Sequence, residues 1–504
     1  MKRRSFSGES PPRLELPTRR RPSYTRLAIT DAVSILGLAG IVCGLLGAFD
    51  DGGDAALLGI TGALAAGLGV YARQSFSRSV RPAPGRVLSG LALSWIVLVV
   101  LGAGIYLATG TIERVDNAFV ESAAGFSTTA LTTLDPQELT VPMQLWRAAT
   151  QWIGGLIGII VGVIALPLAF RGKFLGASET RQTSDRLAPS PTVGRRRVSA
   201  VYLALTVALG LAYALAGLGA RDSIVHAMTT ISTGGFSSQP DSFASFGNGP
   251  RIVATVGMII GGSSFFVVWW LVRGRMRPVW RSTELRLYVG LLFAGSILIA
   301  LGGEGVGFGT AVFTSASALS TTGYAVGDWT VLGDAVLMVL LVLIGTGSMS
   351  GSAGGGLRVV RAWTLVGFAS RELRRQLDPH SVVVVKQGGA PIDERSLERT
   401  TGYQIGHLGL CGVAGFLLAA GGLDVIEAIY SGISVISTHG PGVGAGPYGD
   451  VSGWSPAARL LLTPFMLAGR MSILPLLLGV SSIFAAEKAA VRQVRRLAVR
   501  AMRR

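Results

Sequence analysis

The sequence predicts an all-α polytopic membrane protein, in which a two-helix hairpin precedes four similar helix–loop–helix repeats around one axis. Of its 504 residues, 49% are hydrophobic and 14% are charged, which is typical of chains that cross a membrane several times. Basic residues cluster in every second loop, as they do on the cytosolic side of membrane proteins. We therefore attribute the net charge of +17 to membrane orientation. The lipid bilayer is the expected surrounding, and no nucleic-acid partner is expected.

A four-residue pattern, Ser-Thr-x-Gly, recurs at long and similar spacing. It occurs at 232–235, 320–323 and 437–440, and a further copy at 127–130 has Ala in the place of Gly. Successive copies lie 105, 88 and 117 residues apart, which indicates one structural unit used four times. A single copy would be an uninformative polar loop, but four copies in equivalent places between apolar stretches favour a repeat.

Apolar spans at 27–49 and 55–72 come first and carry no copy of the pattern. They predict an N-terminal transmembrane hairpin, 27–88, behind a basic cytosolic N-terminus, 1–26. Each later unit has a long span, a short helix, the pattern and a second long span. These units are repeat 1 (89–197), repeat 2 (198–285), repeat 3 (286–400) and repeat 4 (401–486), followed by a basic cytosolic tail (487–504). Every copy lies on the non-basic side, so we expect both termini in the cytosol and the protein in the cytoplasmic (inner) membrane.

This organisation predicts ten full spans and four re-entrant half-helices. The helix before each pattern has about ten residues, as at 116–126 and 222–231, and is too short to cross a bilayer. The second spans are expected to be continuous at 152–170, 252–272 and 456–486. In repeat 3 the second span, 333–368, is expected to be interrupted at 345–356, where six of twelve residues are Gly, because each Gly destabilises a helix by about 1 kcal/mol.

Four half-helices that dip into the membrane and turn back predict an ion pathway. Non-helical backbone is tolerated at membrane depth where it is buried in protein or lines water. If the four loops meet at one axis, their carbonyl oxygens can replace the hydration shell of a monovalent cation, and Thr hydroxyls can add further oxygens. Gly suits backbone angles that a side chain disfavours. The candidate cation-binding residues of this predicted selectivity filter are Thr128, Thr129, Ala130, Thr233, Gly234, Gly235, Thr321, Thr322, Gly323, Thr438, His439 and Gly440.

Two further features are candidate gates. The Gly-rich interruption predicts a loop below the filter, although a glycine face for close helix packing is a simpler alternative. A phosphate-binding loop is disfavoured, since no Walker-type Lys or preceding strand accompanies it. Arg470 lies between two apolar runs, where a charge is costly and usually functional; the alternatives are snorkelling and a structural pair. The candidate gate residues are Gly347, Gly351, Ser352, Gly354, Gly355, Gly356 and Arg470.

These motifs resemble those of the Trk/Ktr/HKT superfamily of potassium transporters, and in particular its TrkH-type subunits. The leading hairpin is a TrkH-type feature. The resemblance implies a transporter and not an enzyme, with four linked, non-identical repeats around one potassium pore. It also implies that the Gly-rich loop is an intramembrane gate and that Arg470 blocks cations until the pore opens. The matching stretches are 151–155, 232–237, 320–324, 351–361, 440–442 and 469–470.

The resemblance further implies a homodimer with one pore per protomer. It implies a cytosolic ring of nucleotide-binding RCK subunits, TrkA-like, that regulates the gate. Nucleotide would bind that partner, so we expect no covalently bound cofactor in this chain and K⁺ as the transported ion at the filter. A channel and an H⁺- or Na⁺-coupled carrier both stay open at this point.

Two positions depart from the family pattern. Ala130 replaces the usual Gly, and its methyl would cost about 1–2 kcal/mol if the backbone there is left-handed. Among plant HKT relatives a non-Gly residue at this position accompanies sodium permeation, so a sodium-permeable or sodium-coupled transporter is the alternative function. In repeat 4, Thr438 and His439 replace an Asn and an apolar residue. His439 either faces the pore mouth and titrates or packs behind the filter as a spacer.

Other residues with reactive side chains have simpler interpretations. Glu121, in the first half-helix, either attracts cations to the outer mouth or caps and packs the helix. His226 is expected to be structural, and Cys43 and Cys411 are expected to be small core residues. A membrane-embedded enzyme that uses His226 or His439 is disfavoured, because no acid–base constellation accompanies either side chain.

Overall fold

The computed structural model describes residues 24–50, 52–74, 84–165, 191–380, 383–387, 390–471 and 481. Regular structure in these ranges is α-helical, with short 3₁₀ and π turns and one antiparallel pair, β1 (Lys386–Gln387) and β2 (Ala390–Pro391). The predicted basic tail and nearly all of the N-terminal segment lie outside the described residues. The last predicted span, 456–486, is described up to Met471 and at residue 481.

The N-terminal hairpin consists of α1 (Tyr24–Gly47) and α2 (Gly52–Gln74). Small residues let the two backbones approach closely, as is common between membrane helices. A methyl group built on Gly37 would lie 2.3 Å from the backbone nitrogen of Ala66, and one on Gly62 would lie 2.6 Å from the carbonyl oxygen of Gly37. Larger side chains at these glycines would therefore force the hairpin apart.

The four repeats follow in chain order, each with one half-helix. Repeat 1 has α3 (Pro84–Ala108), half-helix α4 (Val115–Ser127) and α5 (Val141–Ile160), which continues into a π turn (Val161–Ala165). Repeat 2 has α6 (Pro191–Leu215), half-helix α7 (Ala220–Ile231), α8 (Asn248–Gly262), α9 (Phe265–Val272) and α10 (Met276–Arg281). Repeat 3 has α11 (Thr283–Gly302), half-helix α12 (Phe308–Ser320), α13 (Asp334–Thr346) and α14 (Val359–Leu377). Repeat 4 has α15 (Glu394–Ala420), half-helix α16 (Val425–Ile436) and α17 (Pro456–Met471).

The predicted membrane architecture agrees with these elements. Of the ten predicted spans, seven correspond to described helices that are long and apolar enough to span a membrane, and α8 with α9 makes an eighth if the bent pair is one span. The other two are the interrupted second span of repeat 3 and the second span of repeat 4, which extends beyond the described residues. The second span of repeat 3 is interrupted as predicted, between α13 and α14. Each half-helix ends at, or one residue before, the first residue of its Ser-Thr-x-Gly/Ala pattern.

Two span predictions were wrong in detail. The second span of repeat 2 is not continuous, because α8 and α9 meet at a bend of 111° at residues 263–264. The second span of repeat 1 begins at Val141 and not at 152. Its first part carries polar residues, Arg147 and Gln151, which lowered its apparent hydrophobicity although both are buried.

The apolar core has two parts that divide the ring of repeats. One cluster combines the hairpin with repeats 1 and 4, through residues such as Trp146 and Met466. The other combines repeats 2 and 3, through residues such as Tyr288 and Phe313. Half-helices α4 and α16 contribute side chains to the first cluster, and α7 and α12 contribute to the second. Packed apolar side chains therefore surround the half-helices on their outer sides.

Candidate ion pathway

The four half-helices end in the same hydrogen-bonded turn. In each, the amide of the third pattern residue donates to the carbonyl five residues earlier, and the amide of the second donates to the carbonyl three residues earlier. This pair of bonds is the Schellman motif, which normally has Gly in its left-handed position. The first bond joins Thr129 to Ala124 (2.9 Å), Gly234 to Thr229 (2.8 Å), Thr322 to Ser317 (2.9 Å) and His439 to Ser434 (2.9 Å).

A threonine occupies the left-handed position in all four turns. The φ angles are 58° at Thr128, 52° at Thr233, 59° at Thr321 and 57° at Thr438. A β-branched residue with positive φ is rare and costs roughly 1–2 kcal/mol. Strain of this kind at four equivalent places points to a functional constraint on the loop backbone.

The four loops close into a ring. A methyl built on Gly235 of repeat 2 would lie 1.9 Å from the carbonyl oxygen of Thr322 in repeat 3, and one on Gly323 would lie 2.6 Å from that of His439 in repeat 4. The amide of Ala130 in repeat 1 donates to the same His439 carbonyl at 3.1 Å. Glycine at the fourth position of the pattern is therefore required by the close backbone of the neighbouring repeat. It is also required by the positive φ of its own backbone.

Ala130 differs in conformation from its three counterparts. Gly235, Gly323 and Gly440 have φ values of 81°, 87° and 100°, whereas Ala130 is not left-handed. The backbone cost anticipated for its methyl therefore does not arise. Methyl groups built on Gly235 and on Gly323 would each lie 2.6 Å from the Ala130 Cβ. One side chain thus approaches both the adjacent and the opposite repeat, so the methyl lies on the inner side of the ring.

The threonine hydroxyls do not all turn inward, as the sequence suggested they could. Thr129 Oγ1 is 2.7 Å from Ser127 Oγ, and Thr322 Oγ1 is 2.6 Å from Ser320 Oγ. These hydroxyls fix the turn from within, so the inner surface of the loops is left mainly to backbone groups. Among second-position residues, Thr128 and Thr438 have buried hydroxyls with no hydrogen-bond partner among the described residues.

Polar side chains behind the loops hold them in place. Gln151 of α5 donates to the carbonyl of Gly234 (2.7 Å), and its own carbonyl accepts from the amide of Phe236 (3.1 Å). Tyr324 Oη is 2.6 Å from Thr229 Oγ1. His226 contacts the Asp222 carbonyl and Ser237 Oγ at 2.8 and 3.1 Å. His226 is thus part of this supporting shell, in agreement with its predicted structural role.

Glu121 is a packing residue in this structure and not an exposed cation attractor. Its carboxylate is fully buried and pairs with Arg147 of α5, which is also buried. The second carboxylate oxygen accepts from Thr132 Oγ1 (2.9 Å) and from the Thr133 amide (3.2 Å). Arg147 also stacks over the Phe236 ring at 3.8 Å. This ion pair therefore connects the first half-helix to the segment that follows the first filter turn, and it also connects that half-helix to repeat 2.

The start of the first half-helix forms a second ion-pair cluster. Asp116 is bound by Arg114 through two 3.1 Å contacts, and by Arg459 of α17 at 3.0 Å. The hydrogen bonds from Arg114 lower the pKa of the Asp116 carboxyl, and the charge of Arg459 adds to this effect. A carboxylate at a helix N-terminus is also favoured by the helix dipole.

His439 is buried, with 3% of its surface exposed. Its Nδ1 has no hydrogen-bond partner within the described part of the chain. Burial to this degree favours the packed arrangement over a titrating group at an open mouth.

The Gly-rich interruption is a loop, residues 347–358, that lies directly against the filter. The amide of Gly355 donates to Thr321 Oγ1 at 2.7 Å. A methyl on Gly355 would lie 2.2 Å from the Ser437 carbonyl oxygen, and one on Gly354 would lie 2.4 Å from that of Ser320. The loop therefore contacts the filter turns of repeats 3 and 4, and only glycine allows that approach.

The same loop reaches the other two repeats. Its Gly351 carbonyl accepts from the amide of Phe265 in repeat 2 (3.1 Å). A methyl on Gly351 would lie 3.3 Å from a side-chain carbon of Val163 in repeat 1. The loop thus lies against the filter turns of repeats 3 and 4 and beside the second helices of repeats 1 and 2, as expected of a segment that crosses the pathway below the ring. Glycines supply the required left-handed backbone at 347, 351 and 356, and Ser352 Oγ donates to the Met349 carbonyl at 2.7 Å.

The bend in repeat 2 is completed by this loop. A helix that ends inside the membrane leaves carbonyl groups without partners. Here the Gly262 carbonyl accepts from the Met349 amide (3.0 Å), and the Gly261 carbonyl accepts from the Ala353 amide (3.2 Å). The bend and the loop are therefore one hydrogen-bonded unit, which sequence patterns within repeat 2 do not reveal.

Arg470 joins the loop to two other repeats. Its guanidinium donates to the Ala353 carbonyl of the loop and, at 2.8 Å, to the Gly154 carbonyl of α5 in repeat 1. Arg470 itself belongs to α17 in repeat 4. It forms no ion pair with a carboxylate among the described residues. No salt bridge within the described part of the chain therefore explains this charge.

Four re-entrant loops on one chain, closed into a ring with a glycine-rich loop packed against it, define a membrane-embedded cation transporter. The family profile of TrkH, described as a cation transport protein, matches residues 86–299 and 291–489. The chain belongs to this family, which confirms the resemblance seen in its motifs. The matched ranges cover all four repeats and begin just before repeat 1.

Individual relatives agree with the family assignment. The Trk system potassium uptake protein TrkI of Halomonas elongata is 28% identical over 409 residues, 78% of this chain and 82% of the relative. The Trk system potassium uptake protein TrkH of Escherichia coli is 28% identical over 410 residues, 77% and 83% of the two chains. The crystal structure of the potassium transporter TrkH from Vibrio parahaemolyticus matches 90% of this chain and 98% of its own, with a TM-score of 0.79 and 24% identity. That similarity supports the fold.

Proposed function

We propose that this protein is the pore-forming subunit of a potassium uptake system in the cytoplasmic membrane. The observation that carries the proposal is the ring of four Schellman turns, each with a strained threonine in the same position. The ring would bind dehydrated K⁺ mainly through backbone carbonyls, since two of the third-position hydroxyls bond back to their own turns. The names of the relatives, which are potassium uptake proteins, support the same ion.

The loop 347–358 and Arg470 are proposed to form the gate in its closed position. A loop that lies against all four repeats would block a hydrated ion on the axis below the filter. A guanidinium beside it adds a positive charge that repels cations. Opening would need the loop to leave its bonds to Thr321 and Arg470.

The assembly is proposed by analogy with Trk systems. We propose a homodimer with one pore per protomer, both termini in the cytosol, and repeat boundaries as given by the sequence. A cytosolic nucleotide-binding RCK subunit, TrkA-like, would act on the gate from the basic side. Purification with and without that partner, followed by measurement of mass and of ion flux, tests these points together.

A sodium-permeable transporter is the second candidate, and Ala130 is the observation that favours it. Its methyl lies on the inner side of the ring, 2.6 Å from Cβ atoms built on Gly235 and on Gly323, where it would narrow the pathway. Uptake of rubidium and of sodium into vesicles that contain the purified protein separates the two functions. Rubidium uptake above sodium uptake is expected, and Ala130→Gly should raise that ratio. Sodium uptake that exceeds rubidium uptake in the unaltered protein would contradict the potassium proposal.

A further inference from the structure

We propose that α9 and α10, with the basic residues around them, form a binding site for an anionic phospholipid headgroup of the cytoplasmic leaflet. The 111° bend turns α9 away from the direction of α8. α9 has only eight residues, all apolar or aromatic, and is too short to cross a bilayer. A short apolar helix that leaves the bundle axis is suited to the membrane interface.

The charge of this segment is of one sign. Residues 265–281 contain four arginines and no acidic residue. Arg273, Arg277 and Arg281 are exposed, and within the described chain Arg277 and Arg281 pair with no carboxylate. The positive-inside rule accounts for basic residues on this side, but it does not require two guanidiniums to lie over one aromatic ring.

In the structure, two arginine side chains lie over the same tryptophan ring. The guanidiniums of Arg273 and of Arg197, which belongs to the first helix of repeat 2, α6, lie 5.4 and 5.6 Å from the ring centre of Trp269. Trp280 is 72% exposed, and Val272, at the end of α9, is 60% exposed. Tryptophan favours the level of lipid headgroups, where one end of the ring is apolar and the other is wet. A soluble phosphate would leave these apolar surfaces in water, whereas a phospholipid covers them with its acyl chains.

Occupation of this surface would bear on the gate, a consequence that rests on the proposed function. The first amide of α9, that of Phe265, donates to the Gly351 carbonyl of the loop. The side chain of Glu284, at the start of α11, accepts from the Ser350 amide at 2.6 Å. The elements on either side of the basic segment are thus bonded to the loop, so a bound lipid would hold the loop in the position seen here.

The test measures lipid binding and ion flux separately. The full-length protein is reconstituted with phosphatidylglycerol and phosphatidylcholine, and the preference for phosphatidylglycerol is measured from the lipids that remain bound in native mass spectrometry. The test variant is Arg273→Gln/Arg277→Gln/Arg281→Gln. The matched control, Arg495→Gln/Arg496→Gln/Arg500→Gln, removes the same charge from the C-terminal tail. Each basic residue near an anionic surface contributes about a factor of five, so the test variant should lose about 100-fold in preference.

The proposal is supported if the control and Arg273→Lys/Arg277→Lys/Arg281→Lys keep the preference and soluble glycerol phosphate does not compete. It is overturned if the test variant keeps the preference, if the control loses it equally, or if glycerol phosphate competes as well as the lipid. It is also overturned if the test variant keeps phosphatidylglycerol but no longer binds a cytosolic partner subunit. Rubidium uptake should be lower in phosphatidylglycerol vesicles for the unaltered protein and equal for the test variant. Absence of any rubidium uptake would contradict the proposed function and leave the binding result standing.

Discussion

Replacement of Arg470 by Met should raise cation flux, because it releases the loop that crosses the pathway. The guanidinium holds the Ala353 carbonyl on one side and the Gly154 carbonyl on the other. Methionine keeps most of the volume of the side chain, so the change removes the charge and both hydrogen bonds with little loss of packing.

The size of the effect follows from the bond to the loop. A hydrogen bond to a charged group contributes about 1.5–3 kcal/mol. If the bond to Ala353 is present only when the loop is closed, its loss shifts the closed-to-open ratio by about 10- to 160-fold, at 1.36 kcal/mol per factor of ten. The bond to Gly154 does not involve the loop and therefore does not change this ratio.

The assay is rubidium uptake into vesicles that contain the purified protein without a cytosolic partner. Arg470→Lys is the matched control, since it keeps the positive charge but cannot bind both carbonyls with a planar fork. If the hydrogen bonds of Arg470 are what hold the loop closed, both variants should raise uptake. If the charge itself blocks the pathway, only Arg470→Met should do so. Uptake by Arg470→Met equal to that of the unaltered protein would refute both roles and remove Arg470 from the gate.

Three further predictions concern the loop and the ion pairs. Gly355→Ala should raise basal uptake, because its methyl would lie 2.2 Å from the Ser437 carbonyl oxygen, whereas Gly345→Ala, with its nearest atom at 3.7 Å, should leave uptake unchanged. Glu121→Gln leaves the guanidinium of Arg147 buried without its charge partner, which costs about 3–5 kcal/mol; the unfolding temperature should fall, and Glu121→Gln/Arg147→Met should recover part of it. The lowered pKa of Asp116 means that its stabilising contribution is present above the ordinary carboxyl pKa of about 4 and is lost as the pH falls below it. Thermal unfolding should therefore become more acid-sensitive in the unaltered protein than in Asp116→Asn.

The sequence predicts the half-helices closely because their ends are local features. The prediction 116–126 compares with Val115–Ser127, and 222–231 compares with Ala220–Ile231. Each starts near an acidic residue and ends at a pattern whose turn is closed by bonds within six residues. The interruption at 345–356 was found for a similar reason, since its glycines destabilise a helix wherever they occur.

Features that depend on distant partners were not predictable in this way. The bend at 263–264 lies in a Gly-Gly-Ser-Ser run at 261–264, where a helix can kink, but the residues that bond its freed carbonyls lie about 90 positions later in the chain and are not indicated by the local sequence. The early start of α5 is not predictable from hydropathy, because Arg147 and Gln151 are costly in a buried helix unless Glu121 and Gly234 lie beside them. In both cases, a hydropathy value describes a residue on its own. It does not include the distant partner that makes burial of that residue or of its carbonyl possible.

The asymmetry of the gate explains why four copies on one chain are useful. The filter turns are nearly equivalent, so four identical subunits could have supplied them. The loop is different, since repeat 3 provides it, the bend of repeat 2 seats it, Arg470 of repeat 4 binds it and Val163 of repeat 1 contacts it. Identical subunits would place four such loops at one axis, where only one fits. Sequence divergence between the repeats is therefore a requirement for a single loop to close the pathway, while the shared Ser-Thr-x-Gly turn keeps the ring above it intact.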